Sequence, residues 1–265
     1  MNMRKPVNLH PAVNQNLFLA ALPAETKALV LADLQQVSVK SGEILDQPDT
    51  EQSYIFFPTD TVISLQYVIE CGKASEIMTI SRDGIVGISN WLAIGGSYVQ
   101  AVVQRAGNAY CIRGQSFKQK FDRDAALRSL TLRYLQSMIS STAQAAACNR
   151  HHTIDQQLCR KLLLLLDQTV GMELRLTHEA IAQALGVRRE GVTQAAARLR
   201  DLGVIDYRRG RIEVLDRQLL EQLSCECYQA IKTQNARLLP YLNSGLAGKA
   251  NKTRYGSVLP RAHAY

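Results

Sequence analysis

Arg188, Arg189, Glu190, Thr193 and Gln194 lie in the stretch EAIAQALGVRREGVTQAAARL, residues 179–199. Their side chains could read the edges of nucleic-acid bases. Arg can donate two hydrogen bonds to guanine, Glu can accept one from cytosine, and Gln can pair with adenine. Further on, VIDYRRGRIEVLD carries Arg208, Arg209 and Arg211 around a glycine. Arginines in such a turn suit phosphate oxygens. Thr177, Arg188 and Arg198 complete the candidate phosphate set.

Such residues act only if something rigid presents them. Thr177 can cap a helix whose first turn carries Glu179, favourable at the positive end of the dipole. Ile181 and Leu185 give that helix an inner face, and Ala182 lets a second helix cross closely. Gly186 permits a left-handed turn, and Val187 plugs the corner. A second helix then restarts at about Arg188, burying Val192, Ala195, Ala196, Leu199 and Leu202, and ends at Gly203. The result is a helix-turn-helix whose charges sit at the start of the second helix, the end that enters a major groove. Two short strands, VIDY and RIEVL, flank the arginine turn as a wing. Asp216 can cap a last helix, RQLLEQLSCECYQAI.

The upstream half has another character. From Val37 to about Arg113, short β-rich runs alternate with turns rich in Gly, Pro and Asp, the pattern of an antiparallel sandwich or roll. From Phe117 to about Gly171 there is almost no Gly or Pro. Leu127, Thr131, Tyr134, Met138, Ser141 and Ala145 step by four and three, a narrow heptad stripe continued by Cys148 and His152. That stripe packs either on a second copy of the chain or on its own domain. The next helix, TIDQQLCRKLLLLLDQTV, turns Ile154, Leu158, Leu162, Leu165 and Leu166 to one side. The expected organisation is an arm over 1–22, a β-roll over 23–120, a dimerisation helix over 121–150, a winged helix-turn-helix over 151–232, and a basic, flexible tail over 233–265.

The net charge of +8 and pI of about 9.3 favour a polyanionic partner, nucleic acid first. Apolar runs such as Leu162 to Leu166 are far too short to span a membrane. The first residues lack the apolar core of a secretory signal, so a cytoplasmic location and no membrane partner are expected. The six cysteines are Cys71, Cys111, Cys148, Cys159, Cys225 and Cys227. They fit no zinc spacing, and all are expected to be reduced. On a continuous helix, Cys225 and Cys227 would face opposite ways, roughly 200° apart. No metal and no cofactor are expected. No nucleophile elbow, P-loop or paired carboxylates suggest an enzyme.

The chain resembles the bacterial Crp/Fnr regulators, typified by the cyclic-AMP receptor protein and the fumarate-nitrate reduction regulator. The resemblance covers about residues 20–230 and is strongest over LTHEAIAQALGVRREGVTQAAARLRDLGVIDYRRGRIEVLD. In the upstream half it rests on KSGEIL and RDGIVGI. It implies an α+β fold: an N-terminal cyclic-nucleotide-binding-like antiparallel β-roll, a long dimerisation helix and a C-terminal winged helix-turn-helix. It implies base reading by Arg189, Glu190, Thr193 and Gln194, the last often Arg in the family. Its implied partners are double-stranded DNA, a second copy of the chain, RNA polymerase and an effector of unidentified chemistry.

The sensor half departs from the family pattern. Cyclic-nucleotide binders follow the glycine at Gly87 with a Glu, here Ile88, and later carry Arg-Ser/Thr-Ala, here Val99, Gln100 and Ala101. A Val cannot neutralise a cyclic phosphate, so this degenerate effector pocket is not expected to bind cyclic AMP in the usual way. Iron-sulfur members use an N-terminal cysteine cluster, and no cysteine precedes Cys71. Haem ligation through His10, His151 or His152 stays open. Two other readings compete with the DNA-binding regulator. One is a cyclic-nucleotide-responsive module whose C-terminal half binds protein; the other is a redox sensor working through Cys71, Cys111 or Cys148.

Overall fold

Strand β3, Tyr54–Pro58, shows how the sensor half is built. Its side chains alternate between two faces. Ile55 and Phe57 enter one apolar core, while Phe56 enters another. Strand β7, Gly107–Arg113, does the same with Tyr110 and Ile112 against Cys111. The computed structural model describes residues 11–46, 54–70, 72, 74–88, 92, 99–169 and 171–244.

With β1 (Gln35–Val39), these strands form an antiparallel sheet of order β1-β7-β3. A second antiparallel sheet has the order β2-β6-β4-β5, from Ile44–Asp46, Val99–Arg105, Val62–Val68 and Ala74–Ile80. Phe56, Ile63, Leu65, Ile80, Val103 and Cys111 pack together as one core of this roll. Gly87, in RDGIVGI, has φ +98°, and a Cβ there would overlap the Tyr54 carbonyl oxygen. The Phe56–Val86 bridge brings the backbones this close, so glycine is required.

Helices α1 (Leu17–Ala20), α2 (Ala24–Leu31) and α3 (Gly114–Arg123) precede and follow the roll. Phe18, Phe57 and Phe117 join Leu127 and Tyr134 in the second core. Helix α4, Ala125–His151, then runs 27 residues, roughly 40 Å at helical rise. Asp124 caps it, accepting from the Leu127 amide at 2.8 Å.

The stripe that could have served a dimer is committed within the chain. Leu127, Thr131 and Tyr134 are buried against the β-roll, and the Tyr134 hydroxyl donates to the Ile85 carbonyl at 3.1 Å. Met138, Ser141 and Ala145 are half-buried and line a cavity between α4, the roll and the C-terminal half. The opposite face carries Leu132, Gln136, Ile139, Ala143 and Ala146, all exposed and again spaced by four and three. Leu132 is 53% and Ile139 64% exposed. A heptad period alone could not tell these two stripes apart.

Helix α5, Ile154–Gln168, starts from a capping box between Thr153 and Gln156. Leu158, Leu162, Leu163, Leu165 and Leu166 sit in the core of the C-terminal domain. Helices α6 (His178–Leu185) and α7 (Arg189–Asp201) pack on one another, and α7 packs on α5. The three-stranded wing sheet follows the order β8-β10-β9, from Glu173–Leu174, Arg211–Val214 and Ile205–Arg208. Sequence patterning missed the short β8.

Three expectations need correction. Leu202 is 59% exposed, because the chain leaves the helix there and Val204 fills the core instead. The single last helix is broken at Ser224–Glu226 into α8 (Arg217–Leu223) and α9 (Cys227–Leu238). Cys225 is therefore not on a helix with Cys227, and both thiols come together beside Cys148. Residues 233–244 are no flexible tail. Helix α9 lies along α4, α10 (Tyr241–Ser244) follows, and Leu239 is buried in the core beneath the β-roll. The Tyr241 hydroxyl donates to the Asp83 carbonyl at 3.2 Å. The rest of the expected tail, 245–265, lies outside the described residues, as do Cys71 and residues 1–10 of the expected arm, His10 included.

Candidate nucleic-acid interface

Thr177 accepts from the Ala180 amide at 3.1 Å and starts α6. Gly186, at φ +68°, ends it in the left-handed conformation, and the Val187 amide returns to the Ala182 carbonyl at 3.1 Å. Arg188 is extended, at φ −74° and ψ 145°, and α7 begins at Arg189. Val192, Ala195, Ala196 and Leu199 are buried beneath it. Ala182 at the crossing is buried too, so the two backbones approach closely.

That scaffold leaves Arg188 at the N-cap, and Arg189, Glu190, Thr193 and Gln194 on the N-terminal half of α7, all exposed. The wing turn is tight: Arg208 pairs with Arg211 across the hairpin, and Gly210 takes φ +76° between them. Arg208, Arg209 and Arg211 are exposed. A cleft bordered by Thr177, His178, Arg189, Arg209 and Arg211 joins the helix starts to the wing. The fold thus gathers residues from two separate sequence motifs around one cleft.

Their electrostatics are not uniform. Arg188, Arg189 and Arg209 form no ion pair among the described residues. Arg208 Nε lies 3.5 Å from Asp206, and Arg211 3.9 Å from Glu173. Arg198 is engaged more firmly, holding Asp155 of α5 by Nε at 2.8 Å and by its terminal nitrogen at 2.5 Å. Of the candidate phosphate contacts, Arg198 alone doubles as a tie between two helices of its own domain.

His178 and Tyr207 escaped the sequence reading. Their rings meet at a tilt, 4.9 Å between centroids, and the Arg200 guanidinium lies 5.1 Å from the Tyr207 ring centre. His178 Nδ1 is 3.2 Å from the Thr193 hydroxyl, which itself donates to the Arg189 carbonyl at 3.1 Å. Burial, then the Arg189 charge, holds the His178 imidazole below its usual pKa. A neutral ring braces the wing against α7. These residues lie far apart in the sequence, and no local spacing announces their meeting.

The effector set is scattered. Ile88 is buried in the core beneath the roll and Ala101 in the core between its sheets. Gln100 donates to Gln66 across β6 and β4 at 2.9 Å. The cavity beside α4 includes none of Gly87, Ile88, Val99, Gln100 or Ala101. It contains instead the ion pair of Lys161 on α5 with Glu76 on β5, which ties the DNA-binding half to the sensor half.

Residues 156–223 match the Crp-like helix-turn-helix domain. That segment is therefore a helix-turn-helix domain of the Crp type. It is 23% identical over 176 residues to the global nitrogen regulator of Nostoc sp. strain PCC 7120, covering 63% of this chain and 79% of that protein. Among solved structures it is similar to a transcriptional regulator of the crp/fnr family from Eubacterium rectale, with TM-score 0.63 and 20% identity. That match covers 79% of this chain and 98% of the other. A CRP-family transcriptional regulator from Thermus thermophilus has TM-score 0.60 and 17% identity, covering 71% and 96%. At such identities the structural likeness establishes the fold. Among the described residues, no helix is long and apolar enough to cross a membrane.

Proposed function

We propose that this chain is a transcription regulator of the Crp/Fnr type that acts as a homodimer and reads near-palindromic DNA. One observation carries the reading. Arg189, Glu190, Thr193 and Gln194 are exposed at the start of α7 on a buried alanine and leucine base, beside unpaired Arg188 and Arg209. A face built only to pack would not hold such charges in water. The dimer forms through the exposed stripe of α4, where Leu132 and Ile139 lie one heptad apart. Two recognition helices then stand about 34 Å apart and enter successive major grooves.

RNA polymerase is the further partner we propose, and the cytoplasm the location. The sensor half does not take cyclic AMP in the usual way. Ile88 is an apolar core residue where a ribose-binding carboxylate would be needed, which supports this view. Oxidation sensing through Cys111 is disfavoured, since burial pushes its thiol up to about 11 and suppresses the thiolate.

Selection of bound fragments from random DNA, followed by gel shifts in rising salt, tests the proposal. We expect an inverted repeat and a linear fall of log affinity with log salt. Equal affinity for every sequence would overturn it.

A further inference from the structure

Four potential metal ligands converge where α4 ends. Cys148 and His152 occupy the last turn and C-cap of α4, one helical turn apart on the same face. Cys225 and Cys227 come from the break between α8 and α9. One ligand atom from each of the four lies within 4.8 Å of all the others. Cys148 Sγ is 3.5 Å from Cys225 Sγ, and Cys227 Sγ is 3.5 Å from His152 Nδ1. The three cysteines are buried, and His152 is half-buried.

We propose that Cys148, His152, Cys225 and Cys227 bind one tetrahedral divalent metal ion of the Zn2+ class. Three thiols and an imidazole form a closed structural set for that ion. With metal–sulfur bonds near 2.3 Å, neighbouring sulfurs of a tetrahedron stand about 3.8 Å apart. The observed spacings suit one ion. An iron–sulfur cluster would need its ligands further apart, because several irons and sulfides stand between them. A disulfide would explain only the Cys148–Cys225 approach, and would leave the convergence of Cys227 and His152 without a purpose.

The surroundings fit the same assignment. His152 turns Nδ1 to the cluster, while its Nε2 lies 3.3 Å from the Glu226 carboxylate, an outer partner of the kind that orients a ligating imidazole. Gln144 donates to Cys227 Sγ at 3.0 Å, as suits a thiolate. Three thiolates and one divalent cation leave one negative charge. Arg160, buried on α5, supplies a positive charge that bears on Cys148.

The ion would fasten α9 to the end of α4, at the joint where the sensor half passes into the DNA-binding half. It would also close the winged domain into a loop, since His152 precedes that domain and Cys225 follows its wing. No local motif betrays the site, because its ligands come from two sequence regions with the whole winged helix-turn-helix between them.

The test uses the full chain, purified under reducing conditions, loaded with Zn2+ or Co2+ and then dialysed. We expect one retained metal per chain. The Co2+ form should show the visible bands of tetrahedral thiolate coordination. The double variant Cys225→Ser/Cys227→Ser should lose the metal, while Cys159→Ser, a buried cysteine outside the set, should keep it. Glu226→Gln should weaken retention by roughly 10- to 100-fold. Should the double variant fail to fold, His152→Ala serves instead, with circular dichroism reporting the fold and lowered affinity as the readout. A folded wild-type chain that keeps no metal, an octahedral Co2+ spectrum, or full retention by the folded double variant would each overturn the proposal.

Discussion

Arg198 and Asp155 are joined by two hydrogen bonds, 2.8 and 2.5 Å long, that tie α7 to the first turn of α5. The arginine already has an anionic partner before DNA arrives. A phosphate must compete with that carboxylate, whereas Arg209 has no such rival. Arg209→Ala should therefore reduce the slope of log affinity against log salt by about 0.9. Arg198→Ala should leave the slope nearly unchanged, and Asp155→Asn should strengthen binding by releasing Arg198. Filter binding across a salt series checks this; equal loss of slope in the two arginine variants would mean that the ion pair opens on DNA.

In the proposed DNA complex, Thr193 would read by its methyl group. Its hydroxyl is occupied by the Arg189 carbonyl and by His178 Nδ1. A methyl group packs against the thymine methyl in the major groove. Thr193→Val should keep both site preference and affinity. Arg189→Ala should cost about 1–3 kcal/mol and relax one base position. Competition binding with single-base variants of the selected site separates these effects.

The DNA-binding half was legible because its determinants are local. Thr177 and Gly186 each fix one helix end, and the buried alanines follow at helical spacing. What stayed hidden depends on contacts across long sequence separations. The pairing of Glu76 with Lys161, the tilted contact of His178 with Tyr207 and the meeting of Cys148 with Cys225 follow from packing, not from spacing. The two stripes of α4 show the same limit. Leu127, Thr131 and Tyr134 share a period with Leu132, Gln136 and Ile139, and only the β-roll decides which set is covered. The break before Cys227 lies in a segment with neither Gly nor Pro, so no breaker residue marked it.

The exposed stripe should control assembly without affecting the fold. Leu132→Glu combined with Ile139→Glu puts charge on both sides of a two-fold seam. Sedimentation should then report a monomer with an unchanged circular dichroism spectrum, and binding to an inverted repeat should fall towards that of a half-site. Tyr134→Phe should do the opposite. It removes the bond to the Ile85 carbonyl, costing about 1 kcal/mol of stability, and leaves the assembly unchanged. A double-glutamate variant that still sediments as a dimer would move the seam elsewhere.

Glu76 sets a pH limit on the contact between the two halves. Burial works to raise its pKa, but Lys161, by its charge and hydrogen bond, with the hydroxyls of Ser64 and Thr79, outweighs burial and holds the carboxyl below its usual range. A carboxyl lowered in the folded chain contributes stability that is fully present above its unfolded value of 4.5. As pH falls, the unfolded chain takes up the proton first, and the stability disappears towards the folded value. Urea unfolding between neutral pH and about pH 3 should show this loss. Glu76→Gln should cost about 3 kcal/mol at neutral pH, because Lys161 is left buried without its partner, and should flatten the acid limb. An acid limb as steep in Glu76→Gln as in the wild type would assign the loss to other carboxylates and free the Lys161 contact from any pH role.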